Sequence, residues 1–176
     1  ASEFATVVPI LPGSRLDGFA LGAGTSGWSN NLFLSQNEGR IFEITPTGSF
    51  TTFSTITDTA GPLERGRGCF GDNLYYGRRT TQVGMLNSTG TASLFANTGG
   101  AGEVESIAFA PASVGNAAVA MYVADTHAGE IYKIDCSGVS TPLASVPLAG
   151  GGLAYDWAGC FVGTLFCGTQ TKIYRV

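Results

Sequence analysis

Four times along this chain a pair of short strand-like runs is joined by a polar turn, and the copies recur at a near-constant interval. The first is Leu32-Phe33-Leu34-Ser35-Gln36, a turn through Gly39, and Arg40-Ile41-Phe42-Glu43-Ile44, then a Thr47-Gly48 turn and a Thr/Phe-rich run to Ile56. The second leads from Leu74-Tyr75-Tyr76 through Arg78-Arg79 to Val83-Gly84-Met85-Leu86, then Thr89-Gly90 and a run to Thr98. The third leads from Met121-Tyr122-Val123-Ala124-Asp125 to Ile131-Tyr132-Lys133-Ile134, then Ser137-Gly138 and a run to Val146, and the last from Leu165-Phe166-Cys167 to Val176. With Ile41, Val83, Ile131 and Ile173 as anchors, the spacings are 42, 48 and 42 residues. A period in the forties with four strands per repeat is the mark of a β-propeller. One such sheet has two apolar faces and cannot bury both alone; stacking neighbours around an axis buries them.

An innermost strand is expected before each pair, in the Gly/Ala-rich stretches Gly18–Gly22, Gly66–Phe70, Glu105–Pro111 and Gly152–Asp156, where bulky side chains would crowd the axis. The expected fold is therefore an all-β, four-bladed propeller with four antiparallel strands per blade and blades at about 16–56, 63–98, 103–147 and 150–176. The last repeat stops after its third strand, and residues 3–11 read as a strand without companions. That strand is expected to complete the last blade, in its own chain or in a neighbour's, with Pro9 on an outer edge where a missing donor costs no ladder bond.

Composition supports strands over helices. Lys133 and Lys172 are the only lysines and glycine numbers 26, which is poor material for helices. A net charge of -4 without a basic block excludes nucleic acid as the expected partner, and no apolar run is long enough to span a membrane. Beginning at Ala1, the chain is expected to be a processed or excised product. Together with a surface rich in Ser, Thr and Gly, this suggests secretion. The four cysteines show no C-x-x-C spacing, so disulfides in an oxidising compartment are expected over zinc. Cys136, in a third-to-fourth-strand turn, is expected to bond Cys160, in the first-to-second-strand turn of the next blade. Cys69, assigned to an inner strand, is expected to be a buried thiol. Asn87-Ser88-Thr89 is a sequon on a turn, which makes Asn87 a glycosylation candidate.

The third repeat, with Ala124-Asp125-Thr126 before Glu130-Ile131-Tyr132-Lys133-Ile134-Asp135 and Ser137-Gly138, resembles the repeat of NHL-type and gluconolactonase (SMP-30-like) propellers. The resemblance weakens in the second repeat, where Gly77-Arg78-Arg79 replaces the acidic turn. It implies a divalent metal such as calcium at the channel mouth, with Asp125 and Glu105 at two ligand positions. The other ligand positions have no match here, and calcium wants six or more oxygens.

Three further groups carry chemistry. Asp125, Thr126 and His127 combine carboxylate, hydroxyl and imidazole; base and orienter is the sharp reading, and turn bonding to the local backbone the plainer one. Arg65, Arg67, Arg78 and Arg79 are expected at one end of the second repeat, as a pocket for a carboxylate or sulfated sugar or as partners of Glu64 and Asp72. Trp28 and Trp157 occupy first-to-second-strand turns, where they stack on a sugar if exposed and plug the domain if buried. The functional expectation is a secreted or cell-surface binding or structural module without a cofactor. Its partner would be a carbohydrate, a protein or copies of itself joined by strand exchange. The alternative is a metal-assisted, lactonase-like hydrolase at the channel mouth.

Overall fold

The computed structural model describes residues 14–22, 27–57, 60–111, 119–147, 152–161 and 163–176. Blade one is an antiparallel meander of β1 (Leu16–Leu21), β2 (Leu32–Gln36), β3 (Arg40–Ile44) and β4 (Phe50–Thr55). Blade two comprises β5 (Ala60–Arg65), β6 (Leu74–Arg78), β7 (Gln82–Leu86) and β8 (Ala92–Asn97). Blade three comprises β9 (Val104–Pro111), β10 (Val119–Asp125), β11 (Glu130–Ile134) and β12 (Ser140–Ser145). Blade four shows β13 (Leu153–Tyr155), β14 (Leu165–Gly168) and β15 (Ile173–Arg175) among the described residues. The four-bladed propeller expected from the repeat is the architecture observed; the pairing expected of residues 3–11 lies outside the described residues.

Strand alternation fills the seams from both sides. Phe33 and Ile41 of blade one meet Leu63, Leu74 and Tyr76 of blade two. Tyr75 and Val83 of blade two meet Phe109, Met121 and Val123 of blade three. Ala124 and Ile131 of blade three meet Leu153, Leu165 and Cys167 of blade four. The anchors Ile41, Val83 and Ile131 are fully buried, each worth about 1.5–3 kcal/mol of transfer energy.

Each complete blade carries a bulge at the same register. Where the third strand pairs with the fourth, Phe53, Phe95 and Leu143 are left without an opposite residue. The extra residue increases local twist, and Phe53 and Phe95 turn into the seam toward the next blade. The turn glycine of that next blade lies directly beneath. A Cβ on Gly90 would sit 2.6 Å from the Phe53 carbonyl oxygen, and one on Gly138 2.5 Å from that of Phe95. Both glycines have positive φ, 78° and 84°, so turn and contact both demand them. The side chain opening the turn also helps close it. Asn87 Oδ1 accepts the N–H groups of Thr89 and Thr91, each at 3.0 Å. Asp135 Oδ1 accepts the Ser137 hydroxyl at 2.7 Å and the N–H groups of Ser137 and Val139, which holds its carboxyl below its ordinary value.

Two expectations are corrected. The inner strand of blade two is Ala60–Arg65, not Gly66–Phe70, which belongs to the β5–β6 connection and holds a 3-10 turn at Gly68–Phe70. Cys69 therefore lies on a turn at the end of the blade where the β11–β12 turn also lies. It is Cys69 that bonds Cys136, with a Cα–Cα distance of 5.8 Å, while Cys160 is a free exposed thiol and Cys167 a free buried one. The expected contact between a third-to-fourth-strand turn and a first-to-second-strand turn exists, but with the preceding blade.

Gly138→Ala is expected to destabilise the protein by roughly 2–3 kcal/mol, read as a lower denaturant midpoint at unchanged slope. Cys136→Ser, opening a bridge between residues 67 apart, is expected to cost about 4 kcal/mol in the same measurement.

Candidate functional site

In a meander, chain entry and the second-to-third-strand turns share one end of the molecule, here the entry end. First-to-second and third-to-fourth-strand turns share the other, the far end. Pairing of Ala60 with Arg78 and of Arg65 with Leu74 places Arg78 and Arg79 at the entry end and Arg65 and Arg67 at the far end. The single arginine pocket expected from the sequence is therefore two separate groups. The cause is the position of β5, which puts Glu64-Arg65-Gly66-Arg67 after the inner strand instead of before it.

At the entry end Arg15, Asp17, Arg78, Arg79, Glu103 and Glu105 line a cleft of about 120 Å³. Two of these side chains pair with each other and a third bonds an amide. Arg15 Nε lies 2.6 Å from Asp17 Oδ1, and Arg78 Nη1 donates to Gln82 Oε1. Arg79 and Glu105 are exposed.

Asp125, at the end of β10, is fully buried. Its Oδ2 accepts the Gly102 N–H at 3.1 Å and its Oδ1 accepts the Ala128 N–H at 3.0 Å. A Cβ on Gly102 would fall 2.0 Å from the carboxylate, so the approach depends on glycine. His127 is exposed on the following turn, and the Asp125 carboxylate ties that turn to the segment entering blade three. This is the plainer of the two readings of the cluster. The metal reading is not met by this donor set. Asp125 holds backbone N–H groups, Glu105 lines the entry cleft, and among the described residues no three His, Cys, Asp or Glu side chains are grouped as for a metal ion.

The far end holds the better candidate. Glu64, Arg67, Phe109, Leu153, Tyr155 and Trp157 line a cleft of about 200 Å³ drawn from blades two, three and four. Trp157 is 48% exposed, whereas Trp28 is buried against Phe33 and Phe53 and plugs the first seam. The Arg67 guanidinium carbon lies 5.2 Å from the Trp157 ring centroid, a cation–π contact. Tyr155 meets Trp157 edge-on at 5.1 Å, fixing the indole. Burial raises the Glu64 carboxyl above its ordinary value, and the Arg67 charge partly offsets this. Arg65 is bonded to Asp72 at 2.8 Å and serves the turn, not the cleft. Tyr155 was missed in the sequence because nothing there distinguishes it from a seam aromatic.

No protein-family model and no curated protein matches this chain. Among solved structures it is similar to selenomethionine-substituted virginiamycin B lyase from Staphylococcus aureus, at TM-score 0.66 and 18% identity, over 90% of this chain and 50% of that one. A catalytically inactive variant of that lyase with quinupristin gives TM-score 0.70 at 16% identity, over 96% and 53% of the two chains. The computationally designed Ika4 protein gives 0.58 at 12% identity, over 100% and 99%. These likenesses establish the propeller architecture, and the chain spans about half the length of the lyase.

Because the folded-state value of Glu64 is raised, its charged form is disfavoured in the native protein. The stability this group contributes is present below its unfolded-state value and lost as pH rises through the folded one. Glu64→Gln is thus expected to raise the melting temperature relative to wild type at pH 7 and to leave it unchanged at pH 3.

Proposed function

We propose that this propeller is a secreted or cell-surface binding module that takes a carbohydrate at its far-end cleft. The observation that carries the reading is Trp157, a half-exposed indole held rigid by Tyr155 beside Arg67 and Glu64. A sugar ring presents an apolar C–H face, which suits an exposed aromatic plane, and a rim of hydroxyls, which suits convergent donors and acceptors. Arg67 donates only; Glu64 accepts when ionised and also donates when protonated, so the pair addresses both roles of a hydroxyl. Kinship with NHL-type or gluconolactonase-like repeats, and a glycan on the exposed Asn87 turn, belong to the same proposal. The lactonase-like alternative has weaker support, since both Asp125 oxygens already accept backbone N–H bonds.

The test is tryptophan fluorescence during titration with a panel of neutral, uronic and sulfated oligosaccharides. Trp28 is buried, so a ligand-dependent change reports Trp157. At least one saccharide is expected to bind, and Trp157→Ala, which lacks the fluorescent reporter and is titrated by calorimetry beside the wild type, to weaken it tenfold or more, about 1.4 kcal/mol. A panel without any response, or an affinity indifferent to Trp157→Ala, defeats the proposal.

A further inference from the structure

The three internal seams define what each face of a blade is for. On the face toward the preceding blade, strand register makes Leu32, Leu74, Met121 and Leu165 equivalent, and likewise Leu34, Tyr76, Val123 and Cys167. On the face toward the following blade, Phe33, Tyr75, Tyr122 and Phe166 are equivalent, and so are Ile41, Val83, Ile131 and Ile173. Ile41, Val83 and Ile131 are 0% exposed, buried by the blade that follows each of them. Ile173, built for the same place in blade four, is 78% exposed. Beside it on that blade Phe161 is 64% exposed and stacks edge-on against Phe166.

The opposite end of the stack is the counterpart. The face of blade one turned away from blade two carries Leu32, Leu34, Phe42, Ile44 and Phe50, a cluster confined to that blade. Phe19 and Leu21 on β1 extend it at 70% and 66% exposure. None of the described hydrophobic clusters joins blade four to blade one of the same chain. Among the described residues each chain therefore presents both halves of one more seam, at opposite ends, with Ile173 uncovered.

We infer that two copies of this chain associate head to tail, the blade-four face of each docking on the blade-one face of the other. A second copy is the occupant because it supplies the matching half: a face whose equivalents already pack on Leu74, Tyr76, Met121 and Val123 inside this molecule. Two copies are the smallest set in which each free face of one kind meets a free face of the other. The contact is heterologous: a two-fold rotation closes it into a pair, and any other rotation gives a larger ring or an open series, which the measured mass distinguishes. It is independent of the saccharide reading and uses neither Trp157 nor Arg67.

Light scattering coupled to gel filtration tests it on the full chain. The expected mass is twice 18.1 kDa at micromolar concentration. Ile173→Asp and Leu21→Asp, both at exposed positions, are each expected to weaken association at least tenfold and give the single-chain mass. If either aspartate variant loses its far-ultraviolet circular dichroism, the serine substitution at that position replaces it. Mixing the two variants is decisive, because the blade-four face of the Leu21→Asp chain and the blade-one face of the Ile173→Asp chain are both intact. The mixture is expected to regain the double mass through that one seam. A wild-type protein that stays at the single-chain mass overturns the inference. So does a double mass insensitive to both substitutions, a mixture that does not reassociate, or an open-ended series of larger species.

Discussion

The structure depends on an interlock between a bulge and a glycine that is repeated from blade to blade. Phe53 and Phe95 are each forced out of the ladder of a fourth strand, and the turn glycine of the next blade, Gly90 or Gly138, fits beneath the carbonyl so presented. Ser54 Oγ adds a bond of 2.8 Å to the Gly90 carbonyl. Hydrophobic contact alone would hold two sheets together without setting their relative rotation, since apolar attraction has no direction. A backbone oxygen that tolerates only a hydrogen opposite it does set that rotation. Seam packing of Ile41, Val83 and Ile131 then follows from the geometry the interlock imposes.

The seam anchors were legible because they depend on side-chain periodicity and on glycine in a turn, both written in local sequence. Ile41, Val83 and Ile131 announce themselves by spacing, and Gly48, Gly90 and Gly138 by following a Thr or Ser. The inner strand of blade two was not legible. Gly61 and Pro62 open a strand whose pairing is irregular between Ala60 and Leu63, so β5 lacks the alternation that marks a strand. The glycine-rich Gly66–Phe70 looked more like a strand at the axis, yet Gly68 and Gly71 there adopt positive φ and close a 3-10 turn. That error of several residues propagated. It put four arginines at one end of the molecule, and it hid Cys69 from Cys136. The bulges were invisible for a different reason: an unpaired residue keeps the composition of its strand and betrays itself only in the partner's register.

The candidate site shows the same division. Trp157 was identifiable as a turn tryptophan, but sequence carries no term for exposure, and Trp28 occupies an equivalent turn with the opposite outcome. The Arg67–Trp157 contact joins blades two and four, a juxtaposition that only curvature of the stack creates. Asp125 is conspicuous in the sequence for its neighbours Thr126 and His127, a grouping that suggests catalysis. A carboxylate at the end of a strand is more valuable to this fold as an acceptor for two loop N–H groups than as a reagent.

The Cys69–Cys136 bond joins the two middle blades and touches neither terminal one. In a stack whose described hydrophobic clusters join only successive blades, such a clamp divides the molecule into a core pair and two outliers. Blades one and four can detach by local opening while the clamped pair keeps its register, so amide protons should exchange in order from the ends toward the middle. Reduction would remove that hierarchy along with the bond. In a reducing compartment the molecule would lose its fixed centre, and any blade could then be the first to open.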